Sequence, residues 1–86
     1  PTVNLAGRTS LGTLAALMAR ASIVVVNDTG TAHLAAAVGT PTVTLFGASD
    51  RQRWAVRGAR HRSVAGRAGR WPPVARALDA VNELMA

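Results

Sequence analysis

The stretch VVVNDTGTAHLAAAVGTPTVTLFG, residues 24–47, sets an acid, two hydroxyls, a glycine and a histidine between two apolar runs. The first run continues SIVVV, residues 22–26, and is β-branched without alternation. Such a strand is apolar on both faces, the mark of a parallel sheet covered by helices. TAHLAAAV, residues 31–38, then reads as a helix closed by Gly39 in the left-handed region, with Pro41 just beyond. TVTLF, residues 42–46, is a second β-branched run. Strand, turn, helix and strand in this order make a parallel crossover unit.

The same alternation extends to both sides. PTVNL, residues 1–5, reads as a short strand, and Ser10 as the cap of a helix carrying Leu11, Leu14, Leu17 and Met18 at helical spacing. Arg20 falls in the last turn, where a cation suits the dipole. Beyond residue 47, GASD is a loop and HRSVA, residues 61–65, a short further strand. From Pro73 to Met85 the apolar residues Val74, Leu78, Val81, Leu84 and Met85 mark an amphipathic helix, and Pro72 and Pro73 suit its start. The fold class expected is α/β, a three-layer Rossmann-like parallel sheet.

The chain has 86 residues, enough for one small domain. It starts at Pro1 directly on an apolar segment, so it is expected to be a piece of a longer protein. A hydrophobic share of 49% argues against disorder, and the absence of Cys excludes a disulfide framework or a thiolate metal site. Arg20 and the Asn27–Asp28 pair interrupt the apolar stretches before any reaches the ~20 residues of a membrane span. The Cys-free composition fits a reducing compartment, and no signal peptide is visible at the start.

The net charge of +6 is uneven. Residues 1–50 hold Arg8 and Arg20 against Asp28 and Asp50 and are neutral, whereas residues 51–86 hold eight arginines against Asp79 and Glu83. Arg51, Arg53, Arg57, Arg60, Arg62, Arg67 and Arg70 crowd into twenty residues flanked by Trp54 and Trp71. A solvated surface is the leading reading of this cluster, and contact with an anionic lipid or phosphorylated acceptor the second. No nucleic-acid motif accompanies it, so nucleic acid is not the expected partner. The two tryptophans read most economically as core or edge packing.

In a parallel α/β sheet, ligands lie beyond the carboxyl ends of the strands. NDTGTAH occupies that place after the central apolar run, GASD does so after the next strand, and LAGRTS after the first. Three loops can therefore converge on one ligand. Gly30 allows a sharp turn and close approach. The amides of Thr29 to Ala32 would project from a helix N-terminus without internal acceptors, a ready seat for phosphate. The hydroxyls of Thr29 and Thr31 add donors. Asp28 repels phosphate and suits neighbouring sugar hydroxyls instead. His33, in the first helical turn, can donate to a phosphate or a hydroxyl. The same residues also make an ordinary helix cap, which is the competing reading. Arg8, Thr9 and Ser10 are placed to face a base or ribose, with capping the principal role of Ser10.

These residues carry a resemblance. Leu5, Gly7, Ser10 and Leu11 match an L-x-G-x-x-S-L segment. Asp28, Thr29, Gly30 and His33 to Ala37 match D-[ST]-G-x-x-H-L-A-A-A, and Gly39, Pro41, Leu45, Phe46 and Gly47 match G-x-P-x-[VIT]-x-L-[FY]-G. Residues 3–50 thereby resemble the carboxyl-terminal domain of the heptosyltransferase-type family, glycosyltransferase family nine. The remainder resembles it loosely.

The resemblance implies a two-domain GT-B fold, of which residues 1–86 form part of the nucleotide-sugar-binding carboxyl-terminal domain, the acceptor domain lying outside. It implies a nucleotide-diphosphate sugar donor, often ADP-heptose, a lipopolysaccharide-type acceptor, inverting transfer, and no metal or other cofactor. Localisation would be cytoplasmic, including the periphery of the inner membrane. Asp28 would bind sugar hydroxyls, Thr29 and Gly30 the diphosphate with Thr31 beside them, and His33 would support both. Arg8 to Leu11 would lie near the nucleoside. The general base would belong to the absent domain, and the usual G-P-T loop reads GAS at residues 47–49. Two rival readings stand beside this one: a non-catalytic α/β nucleotide-sugar-binding module, and a basic nucleic-acid-binding domain.

Overall fold

The computed structural model describes residues 2–27, 29–47, 60–67 and 70–86. Three strands, β1 (Val24–Asn27), β2 (Thr42–Phe46) and β3 (His61–Ala65), form one parallel sheet in the order β1-β2-β3. Val24 pairs with Thr42 across the first ladder, and Thr42 with His61 across the second. Three helices accompany them: α1 (Leu11–Arg20), α2 (Gly30–Ala37) and α3 (Val74–Met85).

The central strand explains the layering. Thr42, Val43, Thr44 and Phe46 of β2 are all buried, so both faces of the strand are covered. Val43 packs with Val64 of β3 and Ala80 of α3, joined by Ile23, Leu45, Val81 and Leu84. Alternation sends Thr42, Thr44 and Phe46 to the opposite face, where α2 crosses β1 and β2 and α1 packs against α2. The result is helix, sheet and helix, the three-layer Rossmann-like arrangement read from the sequence.

Local chemistry sets the boundaries. Ser10 caps α1, its hydroxyl accepting from the Thr13 amide at 3.1 Å. Gly39, at φ 79°, ends α2: its amide donates to Ala36 O at 3.0 Å and the Thr40 amide to Ala35 O at 3.3 Å. That pair of bonds is the Schellman closure which a left-handed glycine makes inexpensive. The buried Thr40 hydroxyl then donates to Met18 O at 2.6 Å, tying the end of α1 to the approach of β2. α1 therefore finishes at the amino edge of the sheet and starts toward its carboxyl edge.

Two expectations are corrected. Residues 2–5 are not a strand. Among the described residues β1 pairs only with β2, and a segment with no ladder partner gains nothing from β-branched residues. The buried face of α3 also differs from the stripe of large residues. Ala77, Ala80, Val81 and Leu84 turn inward, whereas Val74, Leu78 and Met85 are exposed. Alanine at the contact lets the helix approach the sheet closely, and that rotates the larger side chains away. The expected strand at residues 61–65, by contrast, is β3.

Candidate functional site

The turn from β1 to α2 is compact. The Thr29 amide donates to Asn27 O at 2.9 Å, which folds the chain out of the strand. Thr29 is the N-cap of α2, in extended backbone at φ −145° and ψ 179°. Its hydroxyl oxygen accepts from the Thr31 amide at 3.3 Å and lies 2.6 Å from the Thr31 hydroxyl. The Ala32 amide donates to Thr29 O at 3.1 Å.

These bonds correct the expectation of four open amides. Thr29, Thr31 and Ala32 find acceptors inside the turn, while among the described residues the Gly30 amide has none. A Cβ on Gly30 would meet nothing within 4 Å, so the backbone here faces open space. The turn thus offers one free donor and two coupled hydroxyls at the positive end of a helix dipole.

Parallel strands put the ends of β1, β2 and β3 along one edge, so Thr29, Gly47 and Gly66 share it. Thr29, Gly30 and Thr31 are brought together by the turn itself. His33 follows on the first turn of α2 with an exposed side chain. Arg8, Thr9 and Ser10 lead into the start of α1. The Arg8 amide donates to Leu5 O at 3.0 Å around Gly7, whose φ is 72°. The Ser10 hydroxyl is engaged in the α1 cap and lies 2.9 Å from the Thr13 hydroxyl. Among the described residues no hydrogen bond joins residues 8–10 to residues 29–33. Asp28, Asp50, Arg51, Arg53, Trp54 and Arg57 lie outside the described residues.

At this edge Trp71 packs as the sequence suggested, but the cavity beside it was not anticipated. Trp71 lies against Gly47: a Cβ added there would stand 3.0 Å from the two shared carbons of the indole. The ring therefore covers the end of β2 while staying 59% exposed. Beside it, Ala65, Gly66, Arg67, Arg70 and Arg76 help line a cavity of about 840 Å³. The sequence signal was the arginine cluster itself. What it lacked was the information that the chain folds part of it around the end of β3.

Among the described residues there is no group of three His, Asp or Glu side chains able to hold a metal, and no helix long and apolar enough to cross a membrane.

Comparison with known proteins bears on the same elements. The sequence profile described as glycosyltransferase family 9 (heptosyltransferase) matches residues 1–79. Lipooligosaccharide heptosyltransferase 2 of Haemophilus influenzae is 46% identical over 50 residues, covering 58% of this chain and 14% of that protein. Lipopolysaccharide heptosyltransferase 3 of Escherichia coli is 43% identical over 54 residues, 63% of this chain and 16% of that protein. Lipopolysaccharide heptosyltransferase 2 of Escherichia coli K12 is 46% identical over 47 residues, 55% of this chain and 14% of that protein. The chain spans about a seventh of the length of these relatives. No solved structure matches it significantly.

Proposed function

Since the chain belongs to glycosyltransferase family 9, we propose that it is donor-binding machinery of a heptosyltransferase, part of the carboxyl-terminal domain of a GT-B enzyme. The donor is a nucleoside-diphosphate sugar of the ADP-heptose kind and the acceptor a lipopolysaccharide-type glycan. The names of the relatives support the sugar and the acceptor class. The observation that carries the reading is the free Gly30 amide at the start of α2, flanked by the Thr29 and Thr31 hydroxyls beyond a parallel strand.

In this reading an acceptor hydroxyl attacks the anomeric carbon from the face opposite the diphosphate, and the configuration inverts. The base that takes its proton belongs to the part of the enzyme outside this chain. The diphosphate leaves toward α2. Gly30 N–H and the threonine hydroxyls are fixed before the reaction, so they stabilise the charge growing on the leaving oxygen without reorganising. Asp28 accepts hydrogen bonds from the sugar, His33 supports the group from the first helical turn, and residues 8–10 flank the nucleoside. The enzyme works in the cytoplasm or at the inner membrane face.

Gly30 gives a clean test. It is the first residue of α2, where proline is tolerated, and Thr29 already has the extended backbone that proline demands of its predecessor. Gly30→Pro therefore removes the free N–H and keeps the helix, while Gly30→Ala keeps both. Calorimetric titration with ADP-glucose should give saturable binding that Gly30→Ala retains and Gly30→Pro weakens about 10-fold or more, the scale of one hydrogen bond to a charged group. Equal binding by the two variants would refute a diphosphate seat at this turn.

A further inference from the structure

The cavity at the end of β3 is built rather than incidental. The Gly66 amide donates to Phe46 O at 3.1 Å, holding the strand end to its neighbour. The Arg70 carbonyl then folds back over Gly66 so closely that a Cβ there would overlap it. The Arg70 amide closes the turn onto Arg67 O at 3.0 Å. Arg76, in the first turn of α3, donates from Nη1 to Ala65 O at 2.6 Å and is pinned beside the same strand end. Arg67, Arg70 and Arg76 thus line one concavity with Trp71.

Arg67 and Arg70 have no acid close in sequence, whereas Arg76 has Asp79 three residues on in α3, and the two line one surface cavity. No Asp or Glu occurs between residues 51 and 78. Among the described residues the salt bridge present is Arg62–Glu83, on α3's outer length, and neither Arg67 nor Arg70 has a carboxylate partner. The α3 N-terminus adds its positive end, with no side-chain cap on Pro73 and no acid in the first turn.

The shape of the charge selects the ligand. A carboxylate offers two oxygens and one charge. A phosphate monoester offers three terminal oxygens and up to two charges, and so can accept from three arginine forks at once. The indole adds a platform: it lies against Gly47, lines the same cavity and stays 59% exposed. An electron-rich ring beside a phosphate site suits a cyclic, C–H-rich body such as a pyranose.

We propose that Arg67, Arg70 and Arg76, with Trp71, form a binding site for a phosphorylated saccharide, the phosphate held by the guanidiniums and the sugar ring against the indole. The saccharide half rests on the transferase reading above, whereas the phosphate half rests on the arginines alone. The site is separate from the Gly30 turn. β1 and β3 are both neighbours of β2, which puts their ends roughly 10 Å apart.

Calorimetry on the 86-residue chain with glucose 6-phosphate, inorganic phosphate and glucose tests this. Glucose 6-phosphate should bind saturably and more tightly than inorganic phosphate, with glucose not binding. Arg67→Gln/Arg70→Gln should weaken glucose 6-phosphate at least 10-fold with an unchanged unfolding temperature. Trp71→Ala should erase the advantage of glucose 6-phosphate over inorganic phosphate. Gly30→Pro should retain the tighter binding of glucose 6-phosphate over inorganic phosphate. If Gly30→Pro abolishes phosphosugar binding and the arginine variant does not, the phosphate occupies the other turn and the proposal fails. Equal affinity for inorganic phosphate and glucose 6-phosphate overturns the saccharide half. Tighter binding of a single-stranded oligonucleotide, with steep salt dependence, would show a nucleic-acid surface instead. Loss of ADP-glucose binding in Gly30→Pro alone bears only on the donor site.

Discussion

At the residue scale, His61 and Gly66 carry constraints that their sequence neighbours do not announce. His61 opens β3, and among the described residues its buried Nδ1 has no hydrogen-bond partner. A protonated ring would need acceptors for both nitrogens, so burial, aided by the neighbouring Arg60 charge, lowers its pKa from the usual 6.5. The sign follows from linkage. The unfolded chain binds the proton more readily, so stability from the neutral ring is present above pH 6.5 and declines as pH falls below it. Chemical denaturation between pH 7.5 and 5 should show this loss, and His61→Gln should flatten it. An equally steep decline in the variant would assign the effect to other groups. Gly66 is constrained sterically. Gly66→Ala must displace the Arg70 carbonyl, so it should lower stability by roughly 1–3 kcal/mol and disturb the Trp71 fluorescence. Neither constraint is written in the local sequence, because both depend on what the fold brings against the residue from elsewhere.

At the scale of elements, the legible parts were those specified locally. Ser10, Gly39 and Pro41 act on their own segments, and the structure uses Ser10 and Gly39 as the caps that their chemistry suggests. Ser10→Ala should accordingly destabilise α1 by about 1 kcal/mol, read as a fall in thermal midpoint. The β-branched run of β2 was equally plain, because a strand covered on both faces needs no alternation, whereas β1, read the same way, is covered on one face only, with Val25 47% exposed. Residues 2–5 misled because strand propensity describes a fit to a neighbour, and none is paired with them. α3 misled because periodicity reports how many apolar rows exist and leaves open which row packs. Leu78 belongs to the sequence stripe yet is 56% exposed, whereas Ala80 is 6% exposed against Val43 and Val64. Leu78→Ser should therefore shift stability by less than about 0.5 kcal/mol, and Ala80→Leu should cost about 1–3 kcal/mol through overpacking. Denaturation midpoints showing the reverse order would restore the face that the large residues mark. At the candidate site the same logic divides what was legible. The capping chemistry of residues 29–31 was visible, but the use of three amides inside the turn was not, since two of them find backbone carbonyls and one the Thr29 hydroxyl only once the turn is folded.

At the scale of the whole molecule, the charge distribution outweighs the ion pairs. Ten arginines face four acids in a chain of 86 residues, and the Arg62–Glu83 contact at 3.3 Å is between partly exposed side chains. Such a surface pair contributes at most about 1 kcal/mol, and salt weakens it. Against it stands the repulsion among like charges concentrated in residues 51–86, which favours an expanded chain. Screening acts on both, with a Debye length falling from about 30 Å at 0.01 M salt to about 8 Å at 0.15 M. Repulsion summed over the basic half is the larger quantity, so added sodium chloride should raise the thermal midpoint between 0.01 and 0.3 M. Phosphate at the same ionic strength should raise it further, because it binds the folded arrangement of Arg67, Arg70 and Arg76 and not the dispersed chain. Scanning calorimetry at matched ionic strength in the two salts separates these contributions. A midpoint that falls with chloride would mean that attractive pairs dominate the folded state. Equal midpoints in chloride and phosphate would mean that the arginines at the end of β3 gain nothing from being brought together.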